Sequence, residues 1–296
     1  MESVFQNVLC AVNPRHPYSS GLYDAGGLAF PHGHVTVVSV FPKAPDNPDL
    51  AMFSQGSLER FVAEALPGYL RYTRGVSCVL RAGRPAEVLL QEIERTDADL
   101  ICMRAASHLT LLCRTFGSVT RELLQRSRIP VLVVPKTDTE FVSLESEGPR
   151  FHFGRVVVPV DPGHVKPLQL AAAARIRKAW SGPIELLHVR TAASPAAPDQ
   201  VARLVSAVGD ANVDYREVVA DGSVAHSIWK TLEDQPAGLV VMGLERAEKR
   251  MQPGSIAYDL VNHANAVVLA VPDNLWSLAG GPAEADPATA KARAEH

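Results

Sequence analysis

The sequence predicts an α/β protein: two tandem, open, doubly wound parallel-sheet domains, each with strand order 3-2-1-4-5. Three observations predict it. Short blocks recur at a near-constant offset along the 296 residues. The recurring strands are unbroken Val/Ile/Leu runs rather than apolar–polar alternations, which marks strands buried on both faces. Helix-period segments lie between them, and right-handed crossovers turn such an alternation into a parallel sheet with helices on both sides.

The blocks follow in chain order. The first strand is Val8–Val12 closed by Asn13-Pro14, matched by Val156–Val160 closed by Asp161-Pro162. The second strand, Val35–Val40, is matched by Ile184–Val189. Gly83–Arg104 aligns without a gap on Gly222–Gly243, and each copy holds a helix (86–94; 225–233) and then a strand (99–103; 238–242). Gly117-Ser118-Val119 corresponds to Gly254-Ser255-Ile256, ahead of helices over 118–127 and 255–263. The last strand, Ile129–Pro135, returns as Ala266–Pro272. Further helices are predicted over 165–180 and 198–208. The drift in offset is the signature of loop insertions and deletions. The domains are therefore drawn at 3–136 and 152–273. Residues 137–151 form a linker, with Phe141, Val142 and Leu144 packed on a surface. An Ala/Pro/Gly-rich tail, 274–296, lacks the apolar surface needed to order itself.

Composition narrows the function. Apolar residues are 47% and charged residues 21%, with a formal net charge of −3. The halves carry 15 Lys plus Arg against 16 Asp plus Glu, and 14 against 16, or −1 and −2. Neither is a basic domain, which excludes sequence-independent nucleic-acid binding through a phosphate-neutralising face. Four cysteines without a CxxC pair read as reduced structural thiols, not as a disulfide scaffold or a zinc site. No apolar run approaches the roughly 20 residues of a membrane span, and the first residues lack the basic and apolar regions of a signal peptide. A cytoplasmic protein that contacts neither membrane nor nucleic acid is the expectation.

Open α/β sheets bind ligands beyond the carboxyl ends of their strands, where the strand order reverses. In this order that point lies between the first and fourth strands. In the second copy Asp161 closes the first strand, Gly243 closes the fourth, and Gly254-Ser255 opens the next helix. A glycine admits close backbone approach, and a helix N-terminus suits a phosphate. A Gly-Ser pair before a helix equally reads as a turn with an N-cap, so both readings stand.

Those residues resemble the universal stress protein family in a tandem two-domain form, with the adenine nucleotide α hydrolase-like fold. The family pattern is a first strand ending in Asp, then a fourth strand followed by Gly, two residues, Gly, nine residues, and Gly with Ser or Thr. Some members bind ATP through these glycines and the Asp, and others have lost the motif. The resemblance implies Asp161, Val189 (beside adenine), Gly243, Gly254 and Ser255 as nucleotide contacts, and ATP with Mg as the ligand of the second copy. The pattern's middle glycine is Arg246 here, and the loop is short: Gly243 to Gly254 is 11 steps against the 13 required. Arg246, with Lys249 and Arg250, adds cations that reach phosphates or form a solvated loop interleaved with Glu245 and Glu248. The first copy keeps the spacing, 13 steps from Arg104 to Gly117, but has Arg104 and Ser107 for two glycines and Asn13 for the Asp. Only Gly117 and Ser118 remain. The first copy is expected to bind no ATP, and the second to bind it weakly or not at all.

No Walker A sequence, no GxSxG elbow, no carboxylate pair placed for acid–base work and no nucleophile beside a base is present. The expected function is a non-catalytic stress-adaptation module, with an ATP-binding sensor or a slow ATPase as alternatives. The expected partners are an adenine nucleotide and an unidentified protein. The apolar last strands suggest an internal pseudo-dimer or a homodimer. His16 and His164 follow the first strands near the cleft, and His188 reads as a hydrogen-bonded histidine of the second strand.

Overall fold

The computed structural model describes residues 3–13, 20–41, 55–66, 74–105, 108–110, 113–115, 117–135, 141–145, 148–191, 197–209, 212–245, 255–263 and 266–273. The first repeat runs β1 (Asn7–Val12), α1 (Ser20–Ala29), β2 (His34–Phe41), α2 (Gln55–Ala65), β3 (Gly75–Ala82), α3 (Pro85–Arg95) and β4 (Leu100–Arg104). A small hairpin follows, β5 (His108–Thr110) and β6 (Cys113–Thr115), then α4 (Ser118–Arg126) and β7 (Val131–Val134). Next comes a second hairpin, β8 (Val142–Glu145) and β9 (Gly148–Phe151). The second repeat is β10 (Val156–Pro159), α5 (Pro167–Ala179), β11 (Ile184–Arg190), α6 (Pro198–Val208), β12 (Val213–Val219), α7 (Val224–Asp234), β13 (Leu239–Gly243), α8 (Ile256–His263) and β14 (Val267–Val271). The tail, 274–296, lies outside the described residues.

Ten of these strands form one sheet in the order β12-β11-β10-β13-β14-β7-β4-β1-β2-β3. Each half reads 3-2-1-4-5 and is parallel throughout. The halves join where β14 meets β7 antiparallel, with Val268 opposite Val133, Leu269 opposite Leu132 and Ala270 opposite Val131. β-Branched valines suit this pleated, doubly covered surface. Alternate strand residues feed two apolar layers. One holds Val8, Cys10, Val156 and Val158 under α1, α2, α5 and α6, and the other holds Leu9, Ile101, Val157 and Val240 under α3, α4, α7 and α8.

Local signals set the helices. α3 opens with Pro85, carries Glu87 in its first turn and Arg95 in its last, all favourable to the helix dipole. Ser223 caps α7, its hydroxyl accepting the His226 N–H at 3.1 Å. The inward face of α5 is Gln169, Ala172, Ala173 and Ile176, a helical stripe that begins with a polar residue.

The stretch expected as a linker is a packed element over its described residues. Phe141 and Val142 are buried. Phe151 stacks on Phe153 at 5.2 Å, and Phe153 meets the edge of Trp180 at 5.8 Å. α1 admits the hairpin because Gly27 faces it: a Cβ there would lie 2.9 Å from Val142 Cγ1. The repeats also touch through Arg175 of α5, whose guanidinium donates to the Val4 carbonyl at 3.3 Å.

Candidate functional site

The two repeats differ at their switch points. In the first, β1 and β4 pair over four positions, from Val8↔Leu100 to Ala11↔Met103. In the second, the matching strands β10 and β13 pair only at Val156↔Leu239 and Val157↔Val240. The cause lies in the sequence, because Pro159 stands where Ala11 stands in the first copy and has no N–H to extend the ladder. β10 ends there while β11 and β13 run on, so the carboxyl edge of the sheet carries a notch.

Gln169 closes the split at its base. Its buried side-chain amide donates to the Pro159 carbonyl at 2.7 Å and the Val241 carbonyl at 3.1 Å. These two acceptors, on diverging strands, thereby keep partners. Beside it, Lys166 Nζ donates to the Gly243 carbonyl at 3.0 Å. The lysine stem lies against Gly243, where any Cβ would run into Lys166 Cδ and sit 2.8 Å from Gln169 Oε1. Glycine is required here for close approach of side chains from α5.

Above the notch is a cavity of about 690 Å³, within the range of small-molecule sites. Asp161, Val189, Gly243 and Ser255 all line it, so four of the residues singled out by sequence share one site. The Asp161 carboxylate is oriented locally. Oδ1 accepts the Gly163 N–H at 2.9 Å, and Oδ2 meets His164 Nδ1 at 3.1 Å. A carboxylate so oriented is the type of group that accepts from a ligand hydroxyl or amine. Val189 and Leu187 make an apolar wall with Ile228 and Met242. Ser255 precedes α8, its carbonyl accepting the Asp259 N–H at 3.1 Å. Arg246 and Gly254 lie outside the described residues.

Around the mouth, Glu245 and Asp273 join Asp161 against Lys166 and a solvent-exposed His164. Among the described lining residues the carboxylates thus outnumber the cations. Among the described residues, no three His, Cys, Asp or Glu side chains are grouped to hold a metal ion. No helix among them is long and apolar enough to cross a membrane.

In the first repeat, Asn13 follows β1 and is exposed. Gly117 is the N-cap of α4 and Ser118 its first helical residue, and no side chain caps that end. In this copy the N-cap position falls on the glycine, which has no side chain to offer. The segment between Arg104 and Gly117 carries the β5–β6 hairpin, with His108 opposite Thr115 and Thr110 opposite Cys113. Backbone donors paired across a hairpin are not free to cradle a phosphate.

Sequence reasoning did not single out Gln169 or Lys166. The available signal for Gln169 was a lone polar residue opening an otherwise apolar helical stripe. His188 also lines the cavity and is buried. Its Nδ1 meets the Tyr215 hydroxyl at 2.8 Å.

Comparison with known proteins accords with this architecture. The universal stress protein family model matches residues 6–135 and again 152–272. A universal stress protein from Archaeoglobus fulgidus is similar over 90% of this chain and 98% of its own, with 18% identity and a TM-score of 0.64. A putative universal stress protein from Pseudomonas aeruginosa is similar over 90% and 93%, with 17% identity and a TM-score of 0.61. At such identities the likeness is one of fold. Comparison with curated protein sequences found no match. With both repeats matched and the sheet built as found, the chain belongs to the universal stress protein family.

Proposed function

We propose that this protein is a non-catalytic cytoplasmic stress-adaptation module whose second domain binds an adenine nucleotide weakly, the first domain serving as its packing partner in an internal dimer. The observation that carries the reading is the cavity over the β10/β13 notch, with Asp161, Val189, Gly243 and Ser255 on its lining. The apolar wall suits a base, Asp161 suits a hydroxyl or amine, and the start of α8 suits a phosphate. The three carboxylates among the described lining residues, Asp161, Glu245 and Asp273, support weak affinity and Mg as the counter-ion of ATP. The longer β1/β4 ladder and the β5–β6 hairpin support a first domain without this site.

The test is nucleotide content of the freshly purified protein, followed by calorimetric titration with Mg-ATP. One weak site, lost on Asp161→Ala, is expected. Two tight sites per chain, or heat unchanged by Asp161→Ala, would overturn the assignment. Stoichiometric co-purified ATP would favour a sensor. Phosphate release that disappears with Asp161→Ala would favour a slow ATPase.

A further inference from the structure

The cavity is not confined to one face of the sheet. Leu187 and Val189 of β11 point to the layer under α7 and α8, together with Ile228 and Met242. The lining also includes Leu170 of α5 and Leu204 of α6, which belong to the opposite layer. A cavity reaches both layers only where a strand is missing between them, and β10 stops at Pro159. Of the residues proposed for the nucleotide, Val189 lies on the α7–α8 side, Asp161 and Ser255 stand at element ends, and Gly243 borders α5 through Lys166 and Gln169. The α5–α6 side is a further compartment.

His188 is the polar group of that compartment. It lines the cavity and is 1% exposed. Its Nδ1 edge is turned to β12, where the Tyr215 hydroxyl is at 2.8 Å and Glu217 Oε2 at 3.4 Å. The ring nitrogens lie on opposite edges of an imidazole, so the Nε2 edge is turned to the β10 side. The last paired position there is Pro159↔Leu187, one residue short of His188. Nε2 is buried and has no hydrogen-bond partner among the described residues. A buried nitrogen in that state costs free energy that a partner returns. With the ring proton on Nδ1, between the Tyr215 hydroxyl and the Glu217 carboxylate, Nε2 is an acceptor. Arg190 holds that carboxylate in place, its Nε 2.7 Å from Glu217 Oε1.

We propose that the α5–α6 side of the cavity is a second binding compartment, in which His188 Nε2 accepts a hydrogen bond from a small, apolar, uncharged ligand bearing a hydroxyl. The walls are Leu170 and Leu204, which reward an apolar body. Nε2 rewards one donor.

The test uses the full-length protein labelled with ¹⁵N-histidine, phenol as probe and anisole as its donor-less counterpart. In long-range ¹H–¹⁵N spectra the His188 Nε2 resonance is assigned by its loss in His188→Phe, or by its displacement in Tyr215→Phe should the first variant not fold. Phenol at millimolar concentration is expected to move that resonance saturably, and anisole to bind about tenfold more weakly, the equivalent of one lost hydrogen bond. Saturating Mg-ATP is expected to leave the phenol response in place. No movement with phenol, an equal response to anisole, or full competition by Mg-ATP would each overturn the proposal. A failure of the nucleotide reading shows separately, as an absence of Mg-ATP heat with the phenol response intact.

Discussion

Replacing Gln169 with leucine tests the account of the open switch point. The side chain is buried and donates to Pro159 O and Val241 O, at 2.7 and 3.1 Å. Leucine keeps the approximate volume and removes both donors. Pro159 O borders the cavity and regains water, so its loss is the net value of one hydrogen bond, about 1 kcal/mol. Val241 O, between packed strands, pays more, about 1–3 kcal/mol for an unsatisfied buried acceptor. The added apolar burial returns about 0.5–1 kcal/mol. The sum is a destabilisation of about 1–3.5 kcal/mol, or a fall in Tm of roughly 2–14 °C. All three tryptophans, Trp180, Trp229 and Trp276, belong to the second half of the chain. Urea unfolding followed by tryptophan fluorescence therefore reports the affected domain. Gln169→Glu sets two carboxylate oxygens against two carbonyls, so its loss is expected to exceed that of leucine at neutral pH. It shrinks on acidification, when a protonated carboxyl donates again. A leucine variant as stable as the parent, or a glutamate variant without pH dependence, would refute the bridging role.

Three further outcomes follow. Glu92 is buried between Arg81 and Arg95, with Nε at 2.7 Å in each case. Burial opposes its ionisation, but the hydrogen bonds and charges of Arg95 and Arg81 prevail and hold the carboxyl below the ordinary glutamate range. Its stabilisation is therefore present at neutral pH and lost as pH falls below about 4. Glu92→Gln should cost about 1–2 kcal/mol at pH 7, discounted because both arginines are half exposed, and progressively less as the pH falls below about 4. An equal cost across that range in urea titrations would remove the charge from the explanation. Gly243→Val should displace Lys166 and Gln169, lowering stability by about 1–3 kcal/mol and abolishing Mg-ATP heat, and retained heat would contradict the crowding at that position. A chain ending at residue 140 leaves β7 without β14, and light scattering should find dimers or aggregates, whereas a clean monomer would speak against the edge argument.

What could be read from the sequence was what repeats locally. Unbroken valine and isoleucine runs declared buried parallel strands, and block order declared two copies, because both signals reside in adjacent residues. Asp161, Gly243 and Ser255 were found because each closes or opens an element at the same end of one sheet, and Val189 because the family resemblance implies it. Gln169 was hidden for the opposite reason: its partner carbonyls are 10 and 72 residues away, and only the diverging strands bring them to it. Pro159 was visible as a residue but not as the end of a ladder, since its consequence depends on which neighbour its missing N–H would have faced. The hairpins β5–β6 and β8–β9 fell in segments without strong periodicity, and short pairs like these are stabilised by what they pack on.

The antiparallel meeting of β14 and β7 bears on how such a protein can change over generations. In a dimer of identical chains, every substitution at one ligand site is imposed on its twin, and a site cannot be relinquished singly. Here both partners of the central strand pair are spelled out separately within one polypeptide, at an effective concentration independent of expression level. One half can exchange its cleft for a zipped pair of strands while the other keeps its opening, with no risk of assembling two altered or two unaltered halves. The covalent joining of the repeats is thus what permits Asn13 and Asp161, or Ala11 and Pro159, to differ in the same molecule.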